Sequence, residues 1–566
     1  MYTTDGSSII ERFPDSFLAA APISIETLPM LHFSPGGTFL QVCTVGCNLT
    51  CPGCVSEVLV HHAESLGNSG NALRTDDIIK MALEEGCIGI AFALNDVIVS
   101  LPTFCRLAEA AHQNGLLIGC STNGYMTEES AAALLPLIDF ANIGLKGSSD
   151  ERYRSCGAKS ADPVFRTLRQ FYQGGVHVEV SLVSMHGGEH EVIRAAEKIA
   201  AISRGIPLQV MRFIPFGDSD LGLEPTIYES EALCDRLRTM LSWVYLFNSP
   251  GSSYLTTHCP DCQNPCIERE FFGPMGSHRI GNAVKTCTCG YTVPIRGMIS
   301  DEIFSEPGMM GGYRITRGLE MIWAILHCLQ VNDPRTLAGI WAEVIQSGML
   351  KKELHDKMNN IDAYYGLIMD LASRCNCSDQ GLVLSSFIRD RYNNVLKMVG
   401  TAQKPRVYYA MGHPLFALNP NRFEGKLVEA AGGIYVNRAI EKEGKPGVTI
   451  SVEKMMELNP EFIFTSGFIS SSVSDTTRYC KDHNLDVPAV REGHLYSMHP
   501  SWDFGSPRWI LGLMTIANIL HPDRCQFAIE DEADLFYRTF YGVPYRSVSA
   551  NRSFALPGVV CNSIYR

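Results

Sequence analysis

No stretch of the chain reaches the roughly eighteen consecutive apolar residues that a membrane helix needs. Its first residues, MYTTDGSSIIERF, lack the basic region and apolar core of a secretory leader. No membrane is expected as a partner, and the expected location is the cytoplasm. Charge is sparse as well: Asp, Glu, Lys and Arg make up 19% of residues, acids outnumber bases 60 to 47, and no basic stripe relieves the net charge of -13. That balance repels a phosphate backbone, so nucleic acid is not an expected partner. Internal repeats and low-complexity tracts are missing too, which excludes solenoids and disordered arrays. The hydrophobic share is 46% of 566 residues and mean hydropathy is +0.02, enough for the cores of three or four globular domains.

Cysteine is abundant. Twenty are present, many for a compartment where thiols stay reduced. Fourteen precede residue 300, and nine of those form two tight groups: Cys43, Cys47, Cys51 and Cys54, then Cys259, Cys262, Cys266, Cys287 and Cys289. Clustered thiols in such a setting mean metal more often than disulfide.

Between residues 38 and 250, strand-length apolar runs alternate with helical patterns. The predicted strands are GTFLQVCTV, IGIAFAL, LLIGCST, FANIGLKG, VHVEVSLVS, PLQVMRFIPF and WVYLFNS. RTDDIIKMALEEG, LPTFCRLAEAAHQNG and EHEVIRAAEKIAAISRG read as helices that end at glycine. Regular βα alternation predicts a parallel sheet or barrel whose site lies at the strand C-terminal ends. The expected domains are an α/β barrel over 1–250, a cysteine-rich metal segment over 251–296, a linker over 297–312 and a second α/β domain over 313–566.

CNLTCPGC places Cys47, Cys51 and Cys54 on a CxxxCxxC loop directly after a predicted strand. Three thiolates hold three irons of a [4Fe-4S] cube and leave the fourth open. In radical SAM enzymes, S-adenosylmethionine chelates that open iron through its amino and carboxylate groups. A zinc knuckle would instead require a fourth ligand from elsewhere. Cys43 reads as a small core residue of the strand.

Residues 38–296 resemble radical SAM enzymes related to the pyruvate formate-lyase activating family, and most of all the group called AmmeMemoRadiSam. The likeness is carried, in order, by VGCNLTCPGC, GIAFALND, STNGYMT, NIGLKGSSDERYR, CGAK, GVHVEVSLV and VMRFIP. It implies a partial (β/α) barrel, a [4Fe-4S] cluster, S-adenosylmethionine and a reductant such as ferredoxin or flavodoxin. It also implies anaerobic handling. Asn95 and Asp96 stand where the family has Asn-Glu, whose acid binds the methionyl amino group. Asn123 and Lys146 fall where the family contacts the ribose or carboxylate, and Arg212 ends a late strand. Three departures are visible. Gly53 replaces an aromatic that would touch adenine, Gly144 replaces an acid before Leu-Lys, and Asp96 is one carbon shorter than Glu.

HCPDCQNPC and CTCG offer Cys259, Cys262, Cys287 and Cys289 as a four-thiolate site for zinc or a rubredoxin-like iron. Cys266 is a fifth thiol, which leaves a second iron-sulfur cluster as the other reading.

Farther on, KPRVYYAMGHP, LVEAAGGIYV, ISVEKMMELNPEFIFTSG, GHLYSMHP and RWILGLMTIANILHPDR resemble the second lobe of substrate-binding proteins for iron-siderophore, haem and cobalamin transporters. The resemblance implies a class III periplasmic-binding-protein-like domain. Its ligand edge would carry Tyr409, His413, His499, Trp502, Asp503 and Arg508, groups able to hold a metal chelate and its carboxylates. Three functions remain open. One is a radical SAM enzyme acting on a metal-chelate or tetrapyrrole-like substrate or cofactor presented by this domain. The second is an activase for a partner protein with a glycyl radical. The third is a non-catalytic iron-sulfur or metallocofactor carrier.

Overall fold

Each of the seven apolar runs predicted as strands contains one, because their β-branched and aromatic residues fill both faces of a buried parallel sheet. In the computed structural model they are β4 (Thr38–Cys43), β5 (Gly89–Phe92), β6 (Leu117–Thr122), β7 (Phe140–Leu145), β8 (His177–Ser184), β9 (Leu208–Arg212) and β10 (Val244–Phe247). The structure describes residues 1–68, 72–215, 220–351, 353–442, 444–469 and 471–546. Phe216, the last residue of the predicted PLQVMRFIPF run, and the final residues of the predicted C-terminal domain, 547–566, lie outside the described residues. Upstream come a short hairpin, β1 (Tyr2–Thr4) with β2 (Ile9–Glu11), and then β3 (Ala19–Ser24), which pairs antiparallel with β4. β4 to β10 lie side by side in sequence order, all parallel, as an eight-stranded sheet with β3. Crossover helices Thr75–Glu84 and Leu101–Gln113 stop at Gly86 and Gly115, whose φ values of 65° and 72° end a helix cheaply.

The bottom of the barrel is closed by the chain that joins β3 to β4. Glu179, near the start of β8, accepts hydrogen bonds from the backbone N–H groups of Leu31 and His32. The Gln209 amide donates to Glu179 at 2.5 Å, and His32 meets the Tyr245 hydroxyl at 2.6 Å. A buried carboxylate is tolerable there because each of its oxygens is paired.

Three antiparallel strands follow the barrel: β11 (Thr257–His258), β12 (Pro265–Phe271) and β13 (Ser277–Ala283). Residues 297–312 have no regular element, yet Glu306 is fully buried. Its Oε1 accepts from the Ser24 N–H and the Thr27 hydroxyl, and Arg314 stands 3.6 Å from its Oε2. The segment is thus strapped to the β3 edge.

Helices Arg314–Cys328, Pro334–Gln346, Ile361–Arg374 and Ser378–Val399 come next. A second sheet contains β14 (Arg406–Ala410), β15 (Phe416–Leu418), β16 (Ile434–Tyr435), β17 (Gly447–Thr449), β18 (Phe462–Thr465) and β19 (Leu495–Ser497). β14, β18 and β19 are parallel, whereas β15 runs antiparallel to both β14 and β17. Helices Trp509–Leu520 and Ile529–Tyr541 close the domain. One continuous apolar cluster joins Ile23 and Met211 of the barrel to Ile322, Trp341 and Trp509 beyond the strap.

Candidate active site and metal centre

The C-terminal ends of the parallel strands open onto one cavity, as parallel βα units dictate. Cys47, Cys51 and Cys54 line it, on the loop that leaves β4. The loop is held by local bonds. The Leu49 N–H donates to Cys47 Sγ at 3.4 Å and the Thr50 N–H to the Cys156 carbonyl at 2.9 Å. Gly53 has φ of 64°, so the position that carries an aromatic in the resembling family adopts here a left-handed backbone that an aromatic side chain would strain.

Asn95 and Asp96 are neighbours in sequence but serve different elements. Asn95 Oδ1 accepts from the Thr44 N–H, and its amide donates to Thr44 Oγ1 and the Gly46 carbonyl, which fixes the exit of β4. Asp96 faces β6 and accepts from the Ile98 N–H, the Asn123 N–H and the Thr122 hydroxyl. Burial pushes its carboxyl up, against those hydrogen bonds and Lys146. The Asn123 amide donates to Cys47 Sγ at 3.5 Å and to Asn48 Oδ1 at 2.7 Å. Burial opposes the charge on Lys146, but the thiols of Cys51, Cys54 and Cys47 outweigh it and hold the ammonium above its ordinary value. Arg212 is fully buried. Its Nη1 donates to Glu224 and the Pro225 carbonyl, and its Nε to the Asn248 carbonyl, while Nη2 has no hydrogen-bond partner. All five residues line the cavity that the three thiols line.

Four contributors were not singled out from sequence. Cys156, within the CGAK signature, is buried beside Cys51, and that thiol, with Arg152 and Lys146 nearby, holds its own thiol below the ordinary cysteine value. Asn142 and Ser181 line the cavity from β7 and β8, and Tyr313, from beyond the strap, reaches it beside Ser121. Asn142, Ser181 and Cys156 fall within the NIGLKGSSDERYR, GVHVEVSLV and CGAK motifs, whereas Tyr313 carried no sequence signal.

Three thiols on one short loop at the cavity supply the three iron ligands that a [4Fe-4S] cube with one open iron requires. Among the described residues, the group whose ligand atoms all lie within 4.8 Å of one another is Cys259, Cys262, Cys287 and Cys289, not the loop thiols. Within that second group, Cys259 and Cys289 sulfurs stand 3.4 Å apart, as do those of Cys262 and Cys287. A tetrahedral Zn–S length of about 2.3 Å places ligand sulfurs about 3.8 Å apart, so this quartet has the dimensions of a single-ion site. Cys266 stands outside it, its thiol 3.8 Å from the Asn264 carbonyl.

The six residues expected at a ligand edge do not form one wall. Tyr409 is buried and donates to Asp503 at 3.2 Å; burial and Glu424 push Asp503 up to about 6. His499 packs on Trp502 with ring centres 4.4 Å apart. His413 lies against the barrel, 3.5 Å from Glu231 and stacked on Tyr479 at 4.4 Å. Arg508 lines a small cavity and donates to the Tyr537 hydroxyl. Burial accounts for the scatter: the pattern of aromatic and histidine residues that reads as a ligand edge is largely domain core.

A parallel barrel with three thiols on one loop and an ammonium at its mouth has the donor set of an α/β domain that holds an iron-sulfur cofactor. Residues 42–201 match the sequence model of the Radical SAM superfamily, so the barrel is a radical SAM domain, joined to a mixed α/β half. An uncharacterised protein of Methanocaldococcus jannaschii is 27% identical over 255 residues, covering 44% of this chain and 75% of that one. Similar solved structures include a periplasmic solute binding protein from Veillonella parvula (20% identity, TM-score 0.31, 34% of this chain and 63% of that one). Another is Helicobacter pylori CeuE with Ni(II) bound (18% identity, TM-score 0.30, 34% of this chain and 61% of that one). The chain thus spans less than two thirds of the length of these structures. No helix among the described residues is long and apolar enough to cross a membrane.

Proposed function

We propose that the chain is a radical SAM enzyme that cleaves S-adenosylmethionine reductively at the barrel mouth and acts on a metal-chelate or tetrapyrrole-like substrate or cofactor held by its C-terminal half. The observation that carries this reading is the convergence of Cys47, Cys51 and Cys54 with Asp96, Lys146 and Arg212 on one cavity at the strand ends. A [4Fe-4S] cluster held by Cys47, Cys51 and Cys54 would supply the one electron needed for reductive cleavage of the sulfonium of S-adenosylmethionine, and with it the capacity to take a hydrogen atom from substrate.

The chain's residues do the rest. The three thiolates hold the irons, and the Asn123 amide and Leu49 N–H donate to Cys47, which spreads the negative charge on its sulfur. Lys146 and the open Nη2 of Arg212 take the methionyl carboxylate. Asp96, with a lone-pair site left after its three chain partners, takes the amino group. Tyr313, Ile214 and Met275 shield the mouth from water. A one-electron donor protein such as ferredoxin or flavodoxin supplies the electron. Cys259, Cys262, Cys287 and Cys289 hold one zinc or iron ion that secures the segment after the barrel.

Substrate presentation draws support from the cavities. Ile214 lines both the barrel mouth and a second, smaller cavity, and Arg317 and Phe468 line both the second and a third in the C-terminal half.

The test is anaerobic reconstitution with iron, sulfide, S-adenosylmethionine and dithionite, with 5′-deoxyadenosine measured by chromatography. Wild type should form it, and the triple variant Cys47→Ala, Cys51→Ala, Cys54→Ala should not. Full iron loading with no 5′-deoxyadenosine would transfer the assignment to a cluster carrier.

A further inference from the structure

Against a net charge of -13, one cavity gathers cations. It lies between the end of β12, the first helix after the strap and the loops of the C-terminal sheet, and has a cavity volume of about 280 Å³, partly open to solvent. Small-molecule sites span about 300–1,000 Å³, so it stands at the small end of that range and takes one flat ring system whose edge reaches solvent. Its walls hold three arginine-phenylalanine pairs. The Arg314 guanidinium lies 4.2 Å from the Phe272 ring centre, that of Arg317 4.8 Å from Phe468, and that of Arg422 4.1 Å from Phe504.

Each arginine has a glutamate behind it: Glu306 for Arg314, Glu320 for Arg317 and Glu424 for Arg422. None of these acids lines the cavity, and no lining residue among those described is acidic. The glutamates and the phenyl rings hold the guanidinium groups in place along the cavity wall. Nε of buried Arg314 has no hydrogen-bond partner, an omission a ligand acceptor would repair. Gly273 and Gly505 permit the close packing. A Cβ on Gly273 would stand 2.8 Å from the Arg314 side chain, and one on Gly505 3.1 Å from Arg317. Lys445 adds an exposed ammonium at the rim, and burial together with Arg422 and Lys445 pushes His355 down to about 4, as a cationic surrounding would.

We propose that this cavity binds a planar, conjugated polycarboxylate: its ring lies against the phenyl and methionine surface, and its carboxylates meet the guanidinium groups. The assignment deepens the substrate class proposed above and rests on that reading only for what becomes of the ligand. A neutral sugar would leave the cations unmatched. A compact phosphate would use one focus of charge and little of the aromatic wall, whereas here the cations are spread over the helix that starts at Arg314, the loop after β15 and the approach to β17.

Full-length protein, without S-adenosylmethionine or reductant, should be titrated with coproporphyrin III, followed by its fluorescence anisotropy. Coproporphyrin tetramethyl ester, citrate and ATP serve as comparators. Coproporphyrin III should bind with micromolar affinity that falls as salt rises, and ester and citrate should bind at least tenfold more weakly. Arg422→Gln and Arg317→Gln should each weaken binding about tenfold. Lys445→Gln, at an exposed position where folding is not at stake, should weaken it about threefold. Equal binding of ester and acid, tighter binding of ATP, no binding at all, or affinity unmoved by Lys445→Gln in a folded protein would each overturn the assignment. Because the readout involves no S-adenosylmethionine cleavage, its failure leaves the radical assignment standing, and the reverse also holds.

Discussion

Asn95 and Asp96 show how adjacent polar residues part company. Leu94 has φ of 73°, and that left-handed turn sends the Asn95 side chain back to Thr44 and Gly46 while Asp96 faces Thr122 and Asn123. Asn95→Ala should therefore lower iron retention, because the thiol loop loses its anchor, as an iron assay after gel filtration would show. Lys146→Met should keep the iron and weaken S-adenosylmethionine binding by about 10- to 100-fold, the cost of about 1.5–3 kcal/mol for losing a charged hydrogen bond. Calorimetry on reconstituted protein separates the two, and unchanged affinity in the lysine variant would remove it from the binding set. The CxxxCxxC loop and the strand-end residues were legible because both are local: a spacing in one loop, and the rule that parallel strands expose their C-terminal ends. Tyr313 was not, since only tertiary packing brings it to the mouth from a segment more than 200 residues downstream of Cys54.

At the scale of elements, the strands announced themselves through dense β-branched and aromatic runs, whereas the strap and the plug, the segment between β3 and β4 that closes the barrel bottom, did not. Residues 28–35 and 297–312 lack any period, and their order comes from partners distant in sequence. His32 in the plug is a sensitive reporter. Burial, outweighing the pull of Glu179, pushes it down to about 4 from an ordinary 6.5. The unfolded chain then takes up the proton first, so stability is complete above about pH 6.5 and declines toward pH 4, by up to about 1.4 kcal/mol per unit. Urea midpoints for wild type should fall over that window, and the slope should flatten in His32→Gln; parallel slopes would clear His32. In the strap, Glu306→Ala strips Arg314 of its buried counter-ion and should cost about 3–5 kcal/mol, read from the same urea curves. A loss below about 1 kcal/mol would mean that the strap is not bearing on β3.

At the scale of the molecule, the two halves share a core, and this was the least legible feature of all. The Gly- and Met-rich composition of 297–312 reads as a spacer between independent domains, yet one apolar cluster runs through barrel, strap and C-terminal helices without a break. Helix Pro334–Gln346 packs on Ala63–Gly67, immediately beyond the thiol loop, and Trp341 sets its fully buried ring 4.9 Å from that of His62 and 5.8 Å from Trp323. The C-terminal half therefore braces the segment that follows Cys54, which gives the joining of the two halves a mechanical consequence as well as a chemical one. Truncating so large a buried aromatic should cost about 3–5 kcal/mol. In Trp341→Ala, unfolding should still be a single transition at lower urea, and iron should leave the reconstituted protein faster under a chelator challenge, because the cavity opens beneath the thiol loop. A variant that loses stability but releases iron at the wild-type rate would show that the halves share a core without sharing the loop's rigidity.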